Sequence, residues 1–236
     1  MIVFCRLVVV AMLAGFLGAC ASHAPVEASA SKLAAIKTIA VLSPPEPETY
    51  RVENLSHPGI VFGLVGGLVA AADQSAKQDK LSSALKSQGA AIVSGMAKQL
   101  VSHLSRSGYK ARVENAPWEK KGSDFVLAYD KIQSDADAVL IMEPTQMGFL
   151  ATGPVSDYVP TIKLEATLLG KDRKEPMYRG FYIHSGQYRD DKWKTITPKT
   201  TFPNFEAMIS NTKAVADALN EAGAALAQSV GADLRR

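Results

Sequence analysis

Two kinds of residue in this chain stand where covalent or acid–base chemistry is feasible. One is a cysteine at the end of an apolar leader. The others are hydroxyl, carboxylate and imidazole groups farther along. The cysteine is Cys20, the last residue of Leu17-Gly18-Ala19-Cys20. Its thiolate is the strongest nucleophile among the side chains and forms a stable thioether. The other cysteine, Cys5, lies inside the leader, so there is no disulfide framework and no CxxC pair. His23, His57, His103 and His184 are scattered, with no pair at metal-ligand spacing and no HExxH. Each reads as a surface or structural histidine, and neither metal nor cofactor is expected. Ser156 and Asp157 lie side by side in the stretch 152–158, but no strand-turn-helix elbow or neighbouring histidine pattern supports a nucleophile there. Arg189-Asp190-Asp191 offers two carboxylates adjacent in sequence, and therefore splayed apart. Both stretches read as solvated loops, and no catalytic residue is expected.

The residues before Cys20 divide into three zones. Met1 to Arg6 carry the amino terminus and one arginine, and Leu7 to Phe16 are apolar. Small or apolar residues then lead to the cysteine. A spanning helix needs ~20 apolar residues, so this run is too short and ends in the wrong flank; it has the form of a secretory leader. The four residues 17–20 resemble the bacterial lipobox. That resemblance implies a signal peptide at 1–19 and a diacylglycerol on Cys20, which becomes the new amino terminus. Several acyl chains, at ~0.8 kcal/mol per buried methylene, anchor a soluble domain firmly. In such lipoproteins an Asp after the cysteine retains the protein in the inner membrane. Ala21 stands there instead, which implies the outer membrane, facing the periplasm.

Residues 20–35 are rich in Ala, Ser and Pro and read as a lipidated, flexible tether. Residues 36–236 are long enough to bury one core and are expected to form a single α/β domain. The formal net charge of the whole chain is +3, close to neutrality, so nucleic acid is not an expected partner.

The elements that must position these residues follow from periodicity. Ile36 to Leu42 is β-branched and apolar and stops at Ser43-Pro44-Pro45, as a buried strand does. The proline-rich stretch after it cannot be helical, although Thr49 to Leu55 suits a short edge strand. Leu85, Ile92, Met96, Leu100 and Leu104 form an apolar stripe over Leu81 to Ser107, read as one amphipathic helix that Gly108 stops. Tyr109 to Glu114 alternates as a half-buried strand. Ser123 to Gln133 reads as a short helix capped by Ser123. Ala136 to Pro144 is the strongest buried strand, with pairing extending through Gln146 to Leu150. Pro160 to Gly170 and Met177 to Ser185 form a hairpin with one solvated side. Asn204 caps a final helical region to about Leu234, interrupted near Asn211. The predicted core includes Ile39, Val41, Val139, Ile141, Leu164 and Leu168. The expected architecture is α/β, a mixed sheet with an antiparallel hairpin, flanked by a long central helix and a C-terminal helix.

Within an insertion at about 49–78, residues 59–72 contain no charge, and Gly59, Gly63, Gly66 and Gly67 punctuate them. On a helix, Gly59, Gly63 and Gly67 share a face that admits close approach of another helix. The run spans ~21 Å as a helix, short of the ~30 Å hydrocarbon core. Glycine costs up to ~1 kcal/mol per helical residue, so four of them call for close packing. Two readings follow: an internal helix of the domain, or a segment for self-association or membrane contact.

The strand "KTIAVLSPP", the long helix, "GYKARVE", the stretch Asp137 to Ile141, the hairpin and the closing helix together carry a resemblance. In this order they look like the periplasmic lipoprotein domain shared by the amino-terminal part of TolB, the curli-secretion lipoprotein and the lipoprotein activators of peptidoglycan synthases. The resemblance implies a non-catalytic module that forms rings or binds envelope proteins, and the insertion departs from that simple domain. The expected function is assembly or partner binding in the cell envelope; a small-ligand carrier or a lipid-anchored hydrolase is the alternative.

Overall fold

The β-branched runs of the sequence pair into one mixed sheet. The computed structural model of this protein describes residues 24–57, 59, 63–122, 124–186 and 191–236, without the side chains of Gly63, Leu64 and Asp124. The expected signal peptide at 1–19, with Cys20, Ala21 and Ser123, lies outside the described residues. In chain order the elements are α1 (Ala30–Ala35), β1 (Thr38–Leu42), β2 (Arg51–Asn54), α2 (Gly63–Ser87), α3 (Ile92–Arg106), β3 (Lys110–Glu114), β4 (Trp118–Lys121) and β5 (Asp124–Leu127). There follow a single 3-10 turn at Tyr129–Lys131, β6 (Ala138–Ala151), β7 (Val159–Gly170), β8 (Pro176–His184), β9 (Lys194–Ile196), α4 (Phe205–Ser210) and α5 (Thr212–Asp233).

The main sheet has seven strands in the order β3-β1-β6-β7-β8-β9, with β2 also on β6. β1 runs parallel to β3 and β6, while β6, β7 and β8 form an antiparallel meander. Long β6 pairs with β1 through its first half and with β2 through its second, with a register shift between Pro144 and Gln146. Asp137 fixes the β1/β6 register: its carboxylate accepts from the amides of Lys37 and Thr38, both at 2.9 Å, and its own amide donates to Thr38 Oγ1 at 2.8 Å.

One face of the sheet carries the main core. Ile39, Val41, Leu140, Leu164 and Leu168 meet Met96, Leu100 and Leu104 of α3 and Val215, Leu219 and Leu226 of α5. On the other face Val139, Ile141 and Leu42 pack under Leu127, Ala136 and Trp118. All six predicted core residues are fully buried. α3 and α5 run side by side in the same direction, with Gly223 against Met96 and Gly231 against His103.

Several expectations are corrected. The segment read as one helix from Leu81 to Ser107 is two. Gly89, at φ +64°, ends α2 in a Schellman motif, with the Ala90 amide donating to Leu85 O and the Gly89 amide to Lys86 O. The same pair of bonds at Gly108 ends α3 as expected. α2 therefore begins in the glycine-spaced run and takes up Leu81 and Leu85. The helix expected at 123–133 is strand β5, paired antiparallel with β4, followed by one 3-10 turn. Phe125 and Val126 favour a strand, and Gly122 supplies the turn. Part of the expected tether is ordered on the domain: Val26 bridges to Arg179, and Leu33 of α1 is buried. The second side of the β7–β8 hairpin is less solvated than expected. Thr167 and Phe181 are buried there, with Trp193 edge-on to Phe181 at 5.4 Å. The interruption at Asn211 holds, and Asn204 Oδ1 accepts from the Ala207 amide at 2.8 Å.

Candidate functional site

The proline-rich loop after β1 lies at the carboxyl end of the parallel strands, where open α/β sheets commonly bind ligands. Glu46 ties it in place. Ala91 before α3 offers no side-chain cap, and the Glu46 carboxylate instead accepts from the amides of Val93 (3.0 Å) and Ser94 (2.9 Å). A negative charge at a helix amino terminus is stabilising there. Burial, and next the Glu46 charge, push the Tyr50 hydroxyl well above the usual phenol range.

Between this loop and the β4–β5 hairpin a cleft of about 420 Å³ opens, bordered by Pro44, Trp118, Phe125, Glu143, Gln146 and Glu165. Glu143 and Glu165 are directly opposite on β6 and β7. Like charges so placed repel, and each carboxylate has a separate partner. Tyr129 donates its hydroxyl to Glu143 at 3.2 Å, and Arg179 Nε lies 3.2 Å from Glu165. Burial, followed by the Glu143 charge, raises the Tyr129 pKa above the ordinary phenol value. The Trp118 indole nitrogen is buried without a hydrogen-bond partner. Aromatic walls and carboxylates can hold a small polar ligand.

The residues singled out for chemistry are not brought together. Asp157 accepts from Thr201 Oγ1 at 2.6 Å. His57 lies 3.3 Å from the Asp73 carboxylate, beside Lys77. His103 sits on α3 next to Arg106. His184 is buried with Nδ1 3.0 Å from Pro160 O. Burial holds its pKa below the ordinary value, against the opposing hydrogen bond. Asp191 lies among the described residues; Arg189 and Asp190 do not. Among the described residues no group of three or more His, Cys, Asp or Glu is placed to hold a metal ion.

The glycine-spaced run has two sides. Gly59 lies outside α2, and a Cβ built on it would stand 2.5 Å from Gly66 O and 3.3 Å from Ala70 Cβ. Gly66 and Ala70 are buried. Gly59 and Gly66 thus make a close contact within the molecule. Gly63 opens α2, and a Cβ on Gly67 would meet nothing within 4 Å. On the outer side Val65, Leu68 and Val69 are 73%, 65% and 60% exposed, and Ala72 is exposed one turn on. The polar part of the helix begins at Asp73, and its carboxyl-terminal half docks on the domain through Leu81, Leu85 and Ser82, whose hydroxyl accepts from the Tyr50 amide at 2.8 Å. Among the described residues no helix is long and apolar enough to cross a membrane.

Neither the Trp118–Phe125–Glu143–Glu165 cleft nor the outward face of α2 was identified residue by residue from sequence. The second had a signal: Val65, Leu68, Val69 and Ala72 follow i, i+3, i+4, i+7 spacing. The cleft had none, because Phe125 lay in the stretch misread as a helix and Trp118 was given no element.

No protein-family model and no curated protein matches this chain. Solved structures with a similar course include two crystal forms of the PelC dodecamer from Paraburkholderia phytofirmans, one of a point variant. Each is 12% identical; they cover 85% and 89% of this chain and 90% and 94% of theirs, with TM-scores of 0.35 and 0.37. A Xanthomonas campestris protein assigned to family DUF330 is 14% identical over 90% of this chain and 94% of its own, with a TM-score of 0.41.

Proposed function

We propose that this chain is a non-catalytic lipoprotein of the bacterial envelope, held to the outer membrane by lipid on Cys20, that assembles with further copies of itself through the amino-terminal half of α2. The observation that carries the assembly reading is the outward face of Val65, Leu68 and Val69 on a segment without charge. Large apolar side chains standing together in water favour burial against a partner. A second copy suits this face: Gly67 between Val65 and Leu68 leaves open space for close helix approach, and neither copy would bring a charge into the contact. The anchor rests on the leader and on Leu17-Gly18-Ala19-Cys20. Lipid supplies the address, and α2 supplies the contact.

The anchor is tested by mass measurement of the mature amino terminus. A diacylglyceryl-modified Cys20 is expected, and Cys20→Ser should give an unprocessed precursor or a soluble form. An unmodified Cys20 or Ala21 at the terminus would refute it. The contact is tested by crosslinking in intact cells from a photoreactive residue at Leu68, which should capture a second copy of this chain.

A second reading, a carrier of a small polar ligand, is favoured by the cleft bordered by Trp118, Phe125, Glu143 and Glu165. Trp118→Phe would separate the two readings, since it should abolish ligand retention and leave assembly unchanged.

A further inference from the structure

The carboxyl ends of α3 and α5 meet at one end of the molecule around an open recess of about 640 Å³. His103, Arg106, Gln228, Arg235 and Arg236 line it, and none of its lining side chains is acidic. Arg106 reaches His103 Nδ1 at 2.9 Å. Arg236 places its guanidinium 4.0 Å over the Tyr109 ring and donates to Ile36 O. Helix carboxyl ends attract cations, which accounts for part of this clustering. Each such end carries only about half a negative charge. Two such ends offset about one of the three guanidinium charges and leave about two in excess. The His103 imidazole feels this excess: burial, and then the nearby Arg106 charge, lower its pKa.

We propose that this recess is a binding site for a phosphate-bearing anion, held by Arg106 and Arg235. Guanidinium forks match phosphate oxygens in pairs, and two such forks, one at the end of α3 and one just past α5, can grip one phosphate. Arg236 is already committed to Ile36 and Tyr109. A phospholipid headgroup and a free organic phosphate offer this same chemistry.

The test uses the full-length protein in zwitterionic detergent micelles. The amide resonances of Gly108 and Gly231, which line the recess, are followed during titration with inorganic phosphate, with glycerol phosphate, and with short-chain phosphatidylglycerol entering the micelles. Saturable shifts are expected. Arg106→Gln with Arg235→Gln should weaken binding by roughly tenfold or more, while Lys213→Gln, at the opposite end of α5, should leave it unchanged. Phosphatidylglycerol binding far tighter than glycerol phosphate assigns the headgroup; equal binding assigns a free phosphate. Absence of a saturable shift with any probe overturns the proposal, as does undiminished binding by the double variant. Neither result bears on lipid at Cys20 or on assembly through α2, which are read by mass and by size.

Discussion

His184 and Asp137 show how single residues tie this fold to pH. His184 is 4% exposed at the end of β8, and burial depresses its folded-state pKa. An unfolded histidine takes up its proton near pH ~6.5, whereas the folded one does so only at lower pH. The unfolded state therefore binds more protons as pH falls below ~6.5, and stability declines until the folded pKa is passed. We predict that the melting temperature difference between the protein and His184→Gln narrows as pH falls from 7 through 6; a constant difference would refute the buried neutral imidazole. Asp137 also loses its contribution as pH falls, but in a more acidic range and because its charged form is the one that is held. Hydrogen bonds from the Lys37 and Thr38 backbone depress its carboxyl pKa. Its stabilisation is present above the unfolded value near ~3.9 and is lost as pH falls through the folded one. Asp137→Asn should melt lower than the natural protein at neutral pH and converge with it in acid. Equal melting at pH 7 would show that the clasp contributes nothing. The stretch Asp137 to Ile141 was conspicuous in the sequence, but the reason for the aspartate was not. It answers two amides a hundred residues away, and no local pattern encodes that.

Between α3 and α5, the close contacts are made by Gly223 and Gly231, which the sequence did not single out. A Cβ on Gly231 would stand 2.7 Å from His103 Cβ, so α5 can approach α3 there only without a side chain. Gly231→Ala should destabilise the protein by ~1–3 kcal/mol, the usual range for overpacking. Gly67→Ala, whose Cβ would meet nothing within 4 Å inside α2, should instead stabilise it by up to ~1 kcal/mol in the same thermal melt; equal effects of the two would contradict the packing described. The strands were legible because β-branched runs such as Ala138 to Ile141 and alternation in β7 have few other uses. The helix-to-hairpin error at 124–127 arose because four residues are too few to display a period. The division between α2 and α3 was hidden because the apolar stripe of Leu85, Ile92 and Met96 continues in phase across Gly89, and the backbone turn there leaves no mark in the stripe. Gly108 was read correctly because the stripe ends with it.

At the scale of the whole molecule, the sheet, its two-sided core and the order of the major elements follow from the sequence, since burial dictates which residues repeat and how often. Surfaces obey no such constraint. The outward face of α2 became distinct from its inward face only once Gly59 was seen against Gly66, with Ala70 buried beneath. That asymmetry underlies the proposed assembly: one side of an uncharged segment holds the domain, and the other is left for a second copy. Charges introduced at exposed positions leave the core untouched, so assembly and folding separate cleanly there. The most direct test is sedimentation of the full-length protein in detergent beside its Val65→Glu, Leu68→Glu variant, with thermal melting of both. The account predicts an oligomer that the variant dissociates at unchanged melting temperature. A monomeric natural protein, or a variant of the same assembled size, would contradict it.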